Sequence, residues 1–222
     1  MKVLVIAAHP DDEVMGAGGT IAKHVRQRDE VYLCIVTKAY TPDWSEETIK
    51  EKRKEAIKAS SILGIKKTYF CELPTVMLDT LPQKELNKKI SDVVKKVRPD
   101  TIYTTHKGDI NSDHRLVFEA TMVAVRPVSD YLISRVLSYE LLSSTDWAPP
   151  FPERMFIPNV YVDISETLET KIKAMSVYKT ELREYPHPRS IEAIAIQAKR
   201  RGTDIQVEAA EAFMLMREII KD

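Results

Sequence analysis

The chain has 222 residues, 44% of them hydrophobic, which is enough for a sizeable core and most simply for one domain spanning residues 1–222. Its 33 Lys and Arg balance 33 Asp and Glu, and the run "KEKRKE" interleaves its basic residues with Glu, so neither a nucleic-acid partner nor an anionic membrane is expected. Cys34 and Cys71 lie in or beside apolar runs, which suits buried thiols of a reducing, cytoplasmic protein, and no stretch resembles a signal peptide or approaches the roughly 20 apolar residues of a membrane span.

Taken in chain order, β-rich runs at Val3–Ala8, Val31–Val36, Thr68–Cys71 and Thr101–Thr105 read as strands buried on both faces. Helical patterns separate them. Residues 13–28 place Val14, Ala17, Ile21 and Val25 on one stripe. Ile49, Arg53, Ala56, Ser60 and Leu63 share a second helical face, and residues 83–97 align Leu86, Ile90, Val93 and Val97 before Pro99. This βαβαβαβ alternation predicts an α/β fold, a Rossmann-like doubly wound and mostly parallel sheet with helices on both faces. Ligands of such sheets bind beyond the carboxyl ends of the strands, where His9 sits. Further on, the pattern predicts a helix over 113–125, strands over 136–142 and 160–164 flanking the Pro-rich "WAPPFPERMF", and helices over 165–180 and 204–220.

The chemistry concentrates in "AAHPDDEVMGAGG". Four titratable groups, His9, Asp11, Asp12 and Glu13, follow a buried strand, and desolvating them is costly unless something binds them. A turn there lets two of His9, Asp11 and Asp12 enter one cavity. An imidazole plus a carboxylate is two-thirds of a facial triad suited to Zn²⁺ or Fe²⁺. For the third ligand, His24 falls mid-helix on the surface, whereas His114 opens a helix whose positive end keeps the ring neutral. The competing reading is that Asp11 and Asp12 cap the helix. "GAGG" lacks dinucleotide-fingerprint spacing, so close helix packing explains it better.

"AHPDDE" with its Gly-rich helix start, and Asp113-His114 with Ala120 six residues beyond, resemble the PIG-L/LmbE-like family of metal-dependent N-acetylglucosaminyl deacetylases. "EAIKASSILGI", Leu78-Asp79, "KISDVVKKVRPD" and "YPHPRS" extend the resemblance over most of the chain. It implies that His9, Asp12 and His114 hold zinc, that Asp11 is the general base, and that the substrate is an N-acetylglucosamine-type sugar or its conjugate. One departure is clear: many members have His-Pro-Asp-His where this chain has Asn111-Ser112-Asp113-His114. Asn111 can donate to an oxyanion but supplies no acid, so leaving-group protonation falls to Asp11 itself, His106 or His187. The resemblance further implies a substrate-contacting cation at Lys52 or Arg53, of which Arg53 is favoured. Asp79 is a candidate for a sugar hydroxyl, and Tyr40 and Trp44 form a candidate stacking loop. The rival expectation is a non-catalytic sugar or nucleotide-sugar binding protein on the same fold. Self-association into a homo-oligomer is left open.

Overall fold

Strand β1 (Lys2–Ala7) is entirely apolar after Lys2, and its side chains divide between two cores. Val3, Val5 and Ala7 face one and Leu4 and Ile6 the other, the period-two pattern of a strand covered on both sides. The protein is described by a computed structural model covering residues 1–128 and 131–221. After β1 come α1 (Asp12–Arg26), β2 (Glu30–Lys38), α2 (Glu46–Leu63), β3 (Lys67–Pro74), α3 (Gln83–Val97), β4 (Thr101–Thr104) and α4 (Ser112–Ala124). Then follow β5 (Arg135–Tyr139), β6 (Val160–Asp163), α5 (Leu168–Met175), α6 (Ile191–Thr203) and β7 (Ala210–Glu218).

Among the described residues, seven strands form one sheet in the order β3-β2-β1-β4-β5-β7-β6. Strands β1 to β5 run parallel, and β7 is antiparallel to both of its neighbours. Helices α1 and α2 pack their apolar stripes on one face through Ile21, Ala56 and Leu63, whereas α3 and α4 cover the other through Leu86, Ile90 and Val117. The chain leaves β1 towards β2 on one side, and β4 occupies the other, so the strand order reverses between β1 and β4. A crevice opens at such a reversal, beyond the strands' carboxyl ends.

The C-terminal part differs from expectation. Residues 204–220 do not form a helix; they contain β7, although Ala, Glu, Met and Leu are strong helix formers. Pairing on both sides, with β5 and β6, overrides that propensity. The helix lies earlier, as α6, where the Ser190 hydroxyl accepts from Ala193 N at 3.0 Å and Ile194 and Ala198 are buried. The helix expected over 165–180 is confined to α5.

Candidate active site

Three donor atoms meet at the β1/β4 reversal. His9 follows β1, Asp12 opens α1 and His114 lies in the first turn of α4. His9 Nδ1 is 3.0 Å from His114 Nε2 and 3.5 Å from Asp12 Oδ2, and the latter two atoms are 3.4 Å apart. Ligands about 2.0–2.1 Å from a tetrahedral ion are separated by about 3.3 Å. The triangle therefore fits a divalent metal with a fourth position open, and these residues form a candidate metal site.

The far side of each imidazole is also held. His9 Nε2 lies 3.0 Å from Asp113 Oδ2, and His114 Nδ1 lies 3.1 Å from Asp109 Oδ2. Such pairs fix the tautomer and turn the other nitrogen to the ion. Asp113 accepts a further bond from Val76 N at 2.7 Å, and Asp109 is held by Ser144, by Thr145 at 2.9 Å and by Asn111 N at 2.8 Å. Burial pulls both histidine pKa values down, but the carboxylates more than reverse this, leaving His9 raised to about 9 and His114 to about 10. Burial would raise Asp12, yet the His114 charge and hydrogen bonds from both rings hold its carboxyl well below the usual range.

Asp11 differs from its neighbour. Its backbone φ is 108°, a costly conformation for a residue with a Cβ, and its side chain makes no cap bond to α1. Glu13 accepts from Asp11 N at 3.1 Å and from the Tyr178 hydroxyl, which holds this turn in place. Asp11 Oδ2 is buried and, among the described residues, has no hydrogen-bond partner, and the residue lines the adjoining cavity. Burial, reinforced by the negative charge of Asp12, raises its carboxyl pKa well above the usual range. The Asp12 carboxylate likewise turns away from helix capping and accepts from His9 N at 2.8 Å.

A break in α1 aims this first turn. At Ala17 the backbone leaves helical geometry (φ −144°, ψ 15°). An unbroken helix would join the Met15 carbonyl to the Gly19 amide. Here the buried Lys171 donates to Met15 O at 2.7 Å, and Glu211 accepts from Gly19 N at 2.9 Å and Thr20 N at 2.7 Å. A Cβ at Gly16 would come within 2.2 Å of the Tyr139 ring, so "GAGG" serves close packing.

Residues 4–125 match the model of the family described as PIG-L, GlcNAc-PI de-N-acetylase. The chain belongs to this family. Among curated members, the "uncharacterized deacetylase YaiS" of Escherichia coli K12 is 29% identical over 80% of this chain and 90% of its own. The diacetylchitobiose deacetylase of Thermococcus kodakarensis is 27% identical over 82% of this chain and 71% of its own. In fold, the chain is similar to the N,N'-diacetylchitobiose deacetylase of Pyrococcus horikoshii, with a TM-score of 0.78, 24% identity, and coverage of 97% of this chain and 83% of that one.

Within this PIG-L chain, a cavity of about 780 Å³ opens beside the donor triangle and takes His9, Asp11, Trp44, Arg53 and Asn111 into its wall. Lys52 lines it too, so the choice between Lys52 and Arg53 is not exclusive: Lys52 pairs with Glu181, while Arg53 pairs with Glu72 and lies 3.5 Å over the Phe70 ring. Trp44 packs edge-on against Tyr40, with centroids 5.6 Å apart. Asn111 Oδ1 accepts from Asp113 N at 2.9 Å, so the residue caps the start of α4 at the edge of the cavity.

Three candidates fall outside that wall. His106 is fully buried, with Nε2 2.9 Å from Arg154 O and an edge-on contact to Phe156, because the 152–154 turn folds over it. His187 accepts from Arg189 N at 3.0 Å and lies near Trp147. Asp79 is exposed in a 3₁₀ turn, Leu78–Thr80. Sequence reasoning missed Asp109, Arg189 and Glu181, and gave Asp113 no role. "GDINSDH" did carry a signal for Asp109, since an Asp five residues before a ligand His can reach its second nitrogen. Arg189, 3.7 Å from Asp11 Oδ2, lies in the distant "YPHPRS", a stretch that carries part of the family resemblance but gave this residue no role.

Proposed function

We propose that this chain is a zinc-dependent N-deacetylase, hydrolysing the acetamide of an N-acetylglucosamine-type sugar or its conjugate, with Asp11 as general base. The observation that carries the reading is the buried Asp11 oxygen, which among the described residues accepts no hydrogen bond, beside a three-donor triangle at the floor of a cavity of sugar-conjugate size. The family match supports deacetylation, and the name of the Thermococcus relative supports an N-acetylated sugar. Iron(II) is the other ion this donor set suits. The buried, free Cys34 and Cys71 favour the cytoplasm, and among the described residues no helix is long and apolar enough to cross a membrane.

A zinc ion held by His9, Asp12 and His114 would lower the pKa of bound water and polarise the acetamide carbonyl. The protein groups then divide the remaining work. Asp11 accepts the proton of the attacking water as the C–O bond forms, and its raised pKa suits it to hold that proton. Asn111 donates its amide N–H to the developing oxyanion. With His106 and His187 outside the cavity wall, Asp11 returns the proton to the nitrogen as the C–N bond breaks, releasing acetate and the free amine. Asp109 and Asp113 keep both imidazoles oriented throughout.

The experiment is acetate release from N-acetylglucosaminides by chelator-treated protein, before and after one equivalent of zinc. Activity that follows zinc supports the reading. Tight sugar binding without acetate release in any metal would favour the binding-protein alternative.

A further inference from the structure

The cavity wall beside the donor triangle contains a strained residue. After β3 the chain reaches the first turn of α4 through residues 75–77, and Val76 there has a backbone φ of 61°. That left-handed region is open to glycine and tolerated by asparagine, but for a β-branched residue it is a costly outlier. Packing of the side chain does not compensate, since Val76 is 64% exposed at the rim of the cavity. Such a conformation persists only where the surroundings over-determine it.

Both ends of the segment are anchored. Thr75 N donates to Lys38 O at 3.1 Å, which extends the pairing of β2 with β3, and Leu78 is buried in the core that α3 and α4 cover. Met77 Sδ accepts from the Tyr40 hydroxyl at 2.7 Å, and Met77 O accepts from Thr80 Oγ1 at 2.7 Å. Between these anchors the Val76 amide turns inwards and donates to Asp113 Oδ2 at 2.7 Å, and the Leu78 amide is directed at the same carboxylate. Asp113 is fully buried. Its Oδ2 also lies 3.0 Å from His9 Nε2, and the opposite nitrogen of that ring, Nδ1, is one corner of the donor triangle. A strained rim residue is thus two hydrogen bonds away from a metal ligand.

We propose that Val76 is a positioning residue of the metal centre: its left-handed backbone turns the amide onto Asp113, and Asp113 in turn holds the His9 ring in the orientation that directs Nδ1 into the triangle. The inference rests on the proposed metal site for the ion, and on the loop alone for the hydrogen bond. A charged acceptor makes the stronger kind of hydrogen bond, which is what offsets the strain. Val76 therefore belongs to both regions: its backbone supports the centre, and its side chain forms part of the rim that a substrate passes.

The test measures zinc affinity and the visible absorption bands of the cobalt(II)-substituted protein. Val76→Pro removes the N–H and cannot adopt a positive φ; replacing Val76 by its α-hydroxy analogue, which turns the amide into an ester, removes the N–H alone. Each change should weaken zinc binding about 10-fold, the low end of what losing support behind a metal-bound histidine costs. Each should also shift the cobalt bands, while denaturant unfolding shows the fold intact. Val76→Gly and Val76→Asn keep the N–H and suit the left-handed region, so both should bind zinc as the wild type does. In an Asp113→Ala background the ester should cost nothing further, because both changes act through one contact. Unaltered zinc affinity and cobalt bands in the ester variant, or losses that multiply with those of Asp113→Ala, overturn the inference. Should the wild type bind no divalent ion, the metal reading fails, and the ¹⁵N shifts of the His9 ring in the metal-free chain still decide the role of Val76. They should move in the ester variant in the direction they move in Asp113→Ala; unchanged shifts overturn the inference.

Discussion

The donor triangle and the cavity wall lie side by side and are built in opposite ways. The triangle draws on two short segments, 9–12 and 109–114, and each of its histidines is backed by a buried carboxylate that has further partners. The wall draws on β2, α2, β3 and the 181–189 segment, and half-exposed ion pairs hold it together. The first arrangement is over-determined, as chemistry that tolerates little displacement demands. The second contains side chains that can be exchanged without disturbing the core, which is where one fold changes its substrate.

The contrast is sharpest at the adjacent aspartates. Asp11→Asn should retain metal and lose kcat by about 10²- to 10⁴-fold, the range for general-base removal. Asp12→Asn should lose metal affinity, and added zinc should recover part of its activity. Zinc titration alongside acetate release checks both; if both variants keep metal and activity, the triangle has been misassigned.

The broken helix α1 tests whether the triangle depends on support outside the cavity. Lys171→Met leaves Glu211 buried without its counter-charge and the Met15 carbonyl without its Lys171 donor. Breaking such a pair costs about 3–5 kcal/mol. Denaturant unfolding should show this, and metal affinity should fall with it because the break aims Asp12. Full stability with normal metal binding would make the pair dispensable.

Acidity offers a third handle. With His9 raised to about 9 and His114 to about 10, the metal-free pair holds a proton at neutral pH, although its facing nitrogens, 3.0 Å apart, cannot both carry hydrogen. Only neutral imidazole binds the ion, so uptake at pH 7 should release at least one proton. Metal affinity should accordingly rise with pH and level off above about 10. The metal-free chain behaves oppositely: the stability these charged rings contribute is complete below the ordinary histidine pKa of about 6.5 and is lost as pH rises through about 9 to 10. Calorimetry in buffers of different ionisation heat counts the protons, and a count of zero would rule out this account.

Asp109→Asn and Asp113→Asn should each weaken metal affinity about 10- to 100-fold, the usual cost of losing a carboxylate behind a metal-bound histidine. KM for the sugar, measured at saturating zinc, should stay put. If these variants raise KM and keep their metal, the division between centre and wall is wrong.

The same division explains what could be read from the chain alone. Strand β1 and the turn after it were legible, because a fully buried strand shows as an unbroken apolar run and four adjacent titratable groups demand a partner. The Gly-rich start of α1 was legible as packing, although not the break at Ala17, which depends on Lys171 and Glu211 arriving from far along the chain. Strand β7 was hidden for a related reason: its Ala, Met and Leu favour a helix, and only pairing with β5 and β6 makes it a strand. Arg189 and Glu181 went unseen because a half-buried ion pair between distant segments leaves no local pattern. His106 misled for the converse reason, since a strand-end histidine looks available until the 152–154 turn covers it.

The smallest effect is expected at a partly exposed ion pair of the wall, and it is informative for that reason. Arg53 stacks on Phe70 with its guanidinium carbon 3.5 Å from the ring centroid while pairing with Glu72. Arg53→Lys keeps the charge and the reach to Glu72 but gives up the planar stack, so it separates rigidity from electrostatics. A cation–π contact at a partly exposed site is worth about 0.5–1 kcal/mol, equivalent to about 2- to 5-fold in an equilibrium constant. Neither metal affinity nor the proton path through Asp11 depends on this stack. KM should therefore rise by that factor for every sugar probe, with kcat and zinc affinity unchanged. A fall in kcat with unaltered KM would instead place Arg53 in the chemical step, and the boundary between centre and wall would have to be drawn to include it.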